Sequence, residues 1–346
     1  MDGDVLKSFE MQATACRKLG SPFTAEVCAI LAERLDETSR FGRRVLDWQG
    51  DPVADALALR AAAGFHALKR AGRSTGLAGV YPPAPLDRNA LANALLDAII
   101  AEDDFLHDWL DSPPQTNEVA RSSVLLGAAL ILGSELGLPL DWHEIGASMG
   151  LNLGFDRYRY DFGSASWGAT DSPVLVRSEW RGPGPETAAP VEIRARAGCD
   201  LNPLDPGSRK DRERLLSYIW ADQSERLTRA DAALDVAAAA SWRVEKADAA
   251  GWVAKHFSAP PTSGAARVLV HTIVWQYLPE ATRAAITATM EAAGQQATPE
   301  APVAWLRMEA DGRDTAAVRL RLWPGGTDRE IARADFHGRS IEWLAH

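Results

Sequence analysis

The sequence is poor in three features that would narrow its function at once. It has three cysteines in 346 residues, Cys16, Cys28 and Cys199, far apart and with no CxxC pair. A scattered, odd-numbered set excludes a disulfide framework and a cysteine zinc site, and fits reduced thiols. It has no basic excess. The net charge is -10, whereas non-specific nucleic-acid binders present a basic face. It also lacks a long hydrophobic run: "VLLGAALILG" is about half of what a membrane span needs. The opening "MDGDVLKSFE" has neither the basic start nor the apolar core of a signal peptide. A cytoplasmic protein is expected, with no membrane partner, nucleic acid disfavoured and the oligomeric state left open. His66 and His107 read as packing or surface histidines, so no metal is expected.

What remains is an ordinary globular composition, 46% apolar and 24% charged, long enough for two domains. The first 135 residues read as helices. In "SPFTAEVCAILAERL", Ser21 is placed as a cap and Pro22 in the first turn, with Phe23, Val27, Ile30, Leu31 and Leu35 on one face. From about residue 113 short β-branched runs alternate with helical ones, and eleven of the twelve tryptophans lie beyond residue 108. "LPLDWHEIG" reads as a strand and "LNLGFDRYRYD" as a helix; "SPVLVRSEW" and "APVEIRARAG" read as strands. A long helical stretch, broken near Ala221, precedes strand "SWRVEKAD", helix "AGWVAKHF" and strand "RVLVHTIVW". Such alternation predicts an α/β fold with a mostly parallel sheet. Only about eight residues join "WLRME" to "VRLRLW", too few for a crossover helix, so the last strands are expected as an antiparallel meander. The expected division is a helical cap region over 1–120 and an α/β domain over 121–346, with a hairpin inserted at about 162–190.

The chemistry concentrates in "HEIGASMGLNL", residues His143 to Leu153, where Gly146, Ser148 and Gly150 sit two apart. As G-x-S-x-G this is a nucleophile elbow with Ser148 attacking an ester or amide. As E-x-G-x-S-x-G it is a glycine-rich turn around a nucleoside. The elbow belongs after a middle strand and an oxyanion loop, but the chain before Trp142 reads as helical and has no HGGG-like stretch. His271 and His337 are available downstream as triad partners. The hydrolase reading is disfavoured.

The stretch resembles the first motif of class I S-adenosylmethionine-dependent methyltransferases, acid-x-Gly-x-Gly-x-Gly. Glu144, Gly146 and Gly150 match, Ser148 replaces the middle glycine, and Ala147 and Asn152 lie in the same turn. The resemblance continues in order. Asp200 in "AGCDLNPLD" stands where an acid at the end of the second strand binds ribose, although it lies 50 residues beyond Gly150. Asp205 competes for that role, and an Asx turn accounts for Asp200 equally well. "VEKADA" places Asp248 and Ala249 where an aspartate takes the adenine amino group, Asp248 also capping the next helix. "VLVHTIVWQYLPEATR" is similar to the fourth motif, with His271 and Thr272 on the strand and Gln276, Tyr277, Leu278 and Pro279 at the turn. The resemblance implies a Rossmann-like methyltransferase-type sheet with S-adenosylmethionine as cofactor. As a whole the sequence also resembles an uncharacterised bacterial family, domain of unknown function 2332, through "PPQTNEVARS", "EIGASMGLNL", "DRYRYDFG", "CDLNPLDP", "VWQYLP", "LWPGG" and "FHGR". That resemblance implies no activity.

Methyl transfer from a sulfonium is an in-line displacement, so the enzyme mainly aligns the partners and at most removes a proton. His271 is the candidate base and Tyr277 the second candidate catalytic residue. Gln276, Asn117 and Arg121 are placed against the substrate, Gln115 and Glu118 lie beside them, and Thr116 or Asn117 is expected to cap the following helix. "DRYRYD" reads as a helical interface with the inserted hairpin. No DPPY or NPPF tetrapeptide is present, which favours a small-molecule acceptor over a nucleic-acid base. Two alternatives stay open: a non-catalytic nucleoside-binding protein on the same fold, and a serine hydrolase using Ser148.

Overall fold

The computed structural model describes residues 2–115 and 117–344. Every described element before residue 137 is helical, and the first strand begins at Leu140. The chain divides into two units, Met1–Thr116 with Ser208–Thr228, and Asn117–Gly207 with Arg229–His346.

The first unit holds seven α-helices between Asp2 and Trp109, plus the returning helix Arg209–Ser217. Side-chain caps start several of them: Ser21 accepts from the Thr24 amide, Ser39 from Gly42, and Asp87 from Asn89 and Ala90. Phe9, Phe41, Phe65, Leu68, Leu77 and Leu95 form its core. The returning segment is stitched in by polar contacts. Asp222 accepts from Ser21 Oγ at 2.5 Å and from the Phe23 amide at 3.0 Å. Arg70 Nε meets Glu213 at 2.8 Å, and His66 Nδ1 lies 3.1 Å from the Ser217 carbonyl. Burial pushes the His66 imidazole down to about 4.

The second unit is built on twelve strands: β1 Leu140–Ile145, β2 Arg159–Asp161, β3 Ser166–Trp167, β4 Leu175–Arg177, β5 Glu179–Arg181, β6 Ile193–Asp200, β7 Val244–Lys246, β8 Ala266–Thr272, β9 Val303–Glu309, β10 Ala316–Trp323, β11 Thr327–Ala334 and β12 Ser340–Trp343. Nine make one sheet in the order β5-β12-β11-β10-β9-β8-β1-β6-β7. From β7 to β9 all neighbours are parallel, and β9 to β12 run as an antiparallel meander. β1 is central, with β6 on one side and β8 on the other, so the winding reverses at β1. Helix Ser122–Leu136 is buried along most of its length. The stretch Val119–Leu136 is long and apolar enough to cross a membrane, with mean hydropathy 1.4, but 83% of it is buried inside the protein, as in a core helix.

Two local expectations are corrected. "LNLGFDRYRYD" is not an α-helix: Asn152–Arg157 is a short 3-10 helix and the chain then enters β2. Tyr158, Tyr160 and Phe162 point inward alternately, the period of a strand. The expected hairpin is a three-stranded sheet, β3-β2-β4, beginning at Arg159, and "SPVLVRSEW" splits between sheets because β5 pairs with β12. "DRYRYD" is therefore part of this small sheet. Thr116, one of two expected caps, lies outside the described residues.

Candidate functional site

The turn from Glu144 to Asn152 leaves the carboxyl end of β1, at the reversal. Its backbone is unusual. Gly146 and Gly150 have φ of +69° and +72°, and Ser148 between them has φ +54°. Three non-glycine residues among those described have positive φ: Ala56, Ser148 and Ile273. Ile273, at +52°, directly follows β8, the strand next to β1. A left-handed β-branched residue is a genuine outlier, and such strain gathers at functional sites where surrounding bonds hold it. Two of the three outliers thus flank one point of the sheet.

The glycines answer to protein packing. A Cβ on Gly146 would lie 2.6 Å from Val274 Cγ2, and one on Gly150 would lie 3.0 Å from Val244 Cγ2. They let the turn seat against the residues following β8 and opening β7.

Neighbouring segments fix the turn. Asp200, at the end of β6, accepts the Ser148 amide at 3.0 Å and the Asn202 amide at 2.9 Å. The Asx-turn role is therefore present, and each oxygen keeps a further lone pair. Asn117 Oδ1 accepts the Leu151 amide at 3.0 Å, Asn152 Nδ2 donates to the Glu118 carbonyl at 3.3 Å, and Trp242 Nε1 donates to the Gly150 carbonyl at 3.2 Å. Arg121 Nε donates to the Phe336 carbonyl at 2.9 Å. Met149, Leu204, Asp205, Trp242 and Val244 help line a cavity of about 160 Å³ beside the turn. Asp205 itself accepts the Gly207 amide at 2.8 Å.

The electrostatics are set by burial. Glu144 is 2% exposed, and loss of water pushes its carboxyl up to about 8, with Arg121 pulling down and Asp200 pushing up. Its Oε2 has no hydrogen-bond partner, nor do Ser148 Oγ and Asn152 Oδ1. Three orphaned buried polar atoms on one nine-residue turn are an exception to the rule that such groups are paired.

The remaining predicted residues scatter by exposure. His271 is fully buried on β8, Gln276 and Tyr277 stand in the exposed 3-10 turn Trp275–Tyr277, and Tyr277 is 74% exposed. Asp248 is exposed and caps helix Ala249–Phe257 by accepting the Gly251 amide at 2.9 Å, with Ala249 buried behind it. His337 is half-buried in the loop before β12. Residue patterns did not single out Glu309, the last residue of β9, whose Oε1 lies 2.6 Å from His271 Nδ1. An acid closing a parallel strand beside a histidine strand was the available signal.

Comparison with curated proteins and with solved structures returned no match to this chain. The model of one family, described as an uncharacterized protein conserved in bacteria (DUF2332), matches residues 7–343, and the chain belongs to that family.

Proposed function

We propose that this protein is an S-adenosylmethionine-dependent methyltransferase acting on a small molecule, with the cofactor held at the turn from Glu144 to Asn152. The observation that carries this reading is the parallel order β7-β6-β1-β8-β9, reversing at the strand that feeds the turn. Doubly wound sheets place ligands outside the carboxyl ends of strands at such a reversal. The same order supports reading the sheet as Rossmann-like and of the methyltransferase type, with β10 to β12 as its antiparallel extension.

The residues present fit the group. Glu144 Oε2, Ser148 Oγ and Asn152 Oδ1 are polar atoms in want of partners, which ribose hydroxyls and an ammonium supply, the ammonium's charge favouring the ionised form of Glu144. Asp200 can accept from ribose with the lone pairs its two amides leave free, and Asp248 stands one strand-end over for an adenine amino group. When bound, the cofactor supplies a methyl on a positively charged sulfur that leaves neutral. Asn117 and Arg121 hold the turn and its surroundings, Gln276 and Tyr277 face the acceptor, and His271 receives its proton. Nucleoside binding without transfer is the second reading, favoured by one observation: His271 is fully enclosed. A hydrolase would need a base bonded to Ser148 Oγ, which has no partner.

The test is thermal denaturation with S-adenosylmethionine, S-adenosylhomocysteine, NAD and ATP. A ligand at about 100 times its dissociation constant adds about 2.7 kcal/mol, several degrees in melting temperature for a chain this size. Either of the first two should raise the melting point, and NAD and ATP should not. Ser148→Ala should shrink the shift, whereas Gly146→Val is unsuitable because Val274 occupies the space. No shift with either compound at millimolar concentration rejects the reading.

A further inference from the structure

His271 and Glu309 are the most fully built pair of titratable groups at this edge of the sheet. Strand parity places them together: His271 pairs in register with Arg307, and Glu309 lies two residues on, on the same face. Glu309 Oε1 lies 2.6 Å from His271 Nδ1 and also accepts the Val274 amide at 3.2 Å. One carboxyl oxygen therefore secures both the imidazole and the backbone just after the strained Ile273. Trp275 stacks on the ring at 4.9 Å between centroids and 11° between planes. The ring is fixed in position, plane and rotation.

We infer that Glu309 is the positioning residue of a proton-accepting dyad, holding His271 with Nδ1 protonated and Nε2 bare toward the methyl acceptor. This rests on the methyltransferase reading and adds the acceptor's class: a nucleophile that gives up a proton on methylation, with a hydroxyl as the case taken below. A neutral imidazole carries one N–H, and a carboxylate at Nδ1 keeps it there, leaving the lone pair on Nε2. Nε2 is buried without a partner, a costly arrangement, as expected of an atom kept for a proton that arrives during reaction. In the step, the hydroxyl oxygen forms a bond to the methyl carbon and the carbon–sulfur bond breaks, its electron pair leaving on sulfur. The hydroxyl proton passes to Nε2, and the imidazolium is stabilised by Glu309 until the proton returns to water. A carboxylate acceptor has no such proton and would leave the dyad without work. Because the ring is enclosed under Trp275, the turn Trp275–Tyr277 has to lift for the acceptor to arrive.

Two measurements on the protein without ligand test this, so their failure is distinct from failure to bind S-adenosylmethionine. Imidazole nitrogen NMR should show His271 with Nδ1 protonated and Nε2 bare. Carbethoxylation by diethylpyrocarbonate, read by peptide mass spectrometry, should modify His271 in the native protein, which a merely structural buried histidine resists. Glu309→Met should erase the tautomer preference and slow labelling of His271 at least several-fold. Glu309→Gln, which keeps a carbonyl acceptor, should restore both; it also serves if the methionine variant does not fold. An Nε2-protonated ring, or a His271 left unlabelled while the half-buried His337 reacts, overturns the proposal. So does equal labelling in wild type and Glu309→Met.

Discussion

Glu144 is a carboxyl held mostly neutral at pH 7 by its surroundings, and that makes it a pH lever. Its folded value, about 8, lies above the ordinary 4.5, so the native state binds a proton that the unfolded chain releases. The associated stability is complete below about 4.5 and lost as pH rises through 8, a few kcal/mol in all. Glu144→Gln keeps the shape without the charge. By denaturant unfolding it should match wild type near pH 5 and exceed it at pH 8; parallel curves would remove the buried acid. His66 and His143, both held near 4 chiefly by burial, act with the opposite sign, losing stability as pH falls from 6.5 toward 4. They cancel in the difference between variant and wild type. Ser148 gives a second check. A left-handed non-glycine residue costs about 1–2 kcal/mol, against about 0.5–1 kcal/mol for glycine's extra unfolded freedom. Ser148→Gly should therefore raise the unfolding free energy slightly while weakening ligand binding through the lost hydroxyl. Glu144, Asp200 and His271 were legible as stations of a pattern along the chain. Glu309 was not, because its partner is chosen by the register between β8 and β9, which no local pattern records.

At the scale of elements, helix Ser122–Leu136 carries glycines where neighbours press closest. A Cβ on Gly127 would meet the Trp343 ring at 2.1 Å, and one on Gly133 the Pro190 carbonyl oxygen at 1.8 Å. Glycine to alanine in an open helix gains about 1 kcal/mol. Here both changes should lower the melting temperature by overpacking, about 1–3 kcal/mol each, with Gly133→Ala worse because backbone cannot rotate aside. A stabilised Gly133→Ala would contradict this packing. The parallel strands were readable from alternation of strand-like and helical runs, and the meander from its short connection. The misread stretch after the glycine turn fails for a definite reason. The whole stretch reads as one helix only if the inward alternation of Tyr158, Tyr160 and Phe162, already the period of a strand, is passed over.

For the whole molecule, the helical unit is made from two pieces of chain, residues up to 116 and Ser208–Thr228. The change in pattern places a boundary near residue 120, and the contacts divide the chain after Thr116. The return was not legible, since Arg209–Ser217 has the same local character as the helices around it. A fragment of residues 117–346 should carry Leu215, Leu216 and Ile219, buried in the intact chain, without the helices of its own unit, and bind 8-anilinonaphthalene-1-sulfonate strongly. Replacing 208–228 in that fragment by a Gly/Ser linker should abolish the dye binding; if it does not, the returning segment is not what the missing helices cover. The same division imposes a timetable on synthesis. Between residues 116 and 208 lie 91 residues, and at about 5–20 residues per second a ribosome needs about 5–20 s to reach the missing piece. Through that interval the nascent helices keep open the seat formed by Phe23, Val27, Ala63 and Tyr81, against which Ser217–Ala221 later lies. Until Ser217–Ala221 is made, that seat leaves its apolar side chains without their cover.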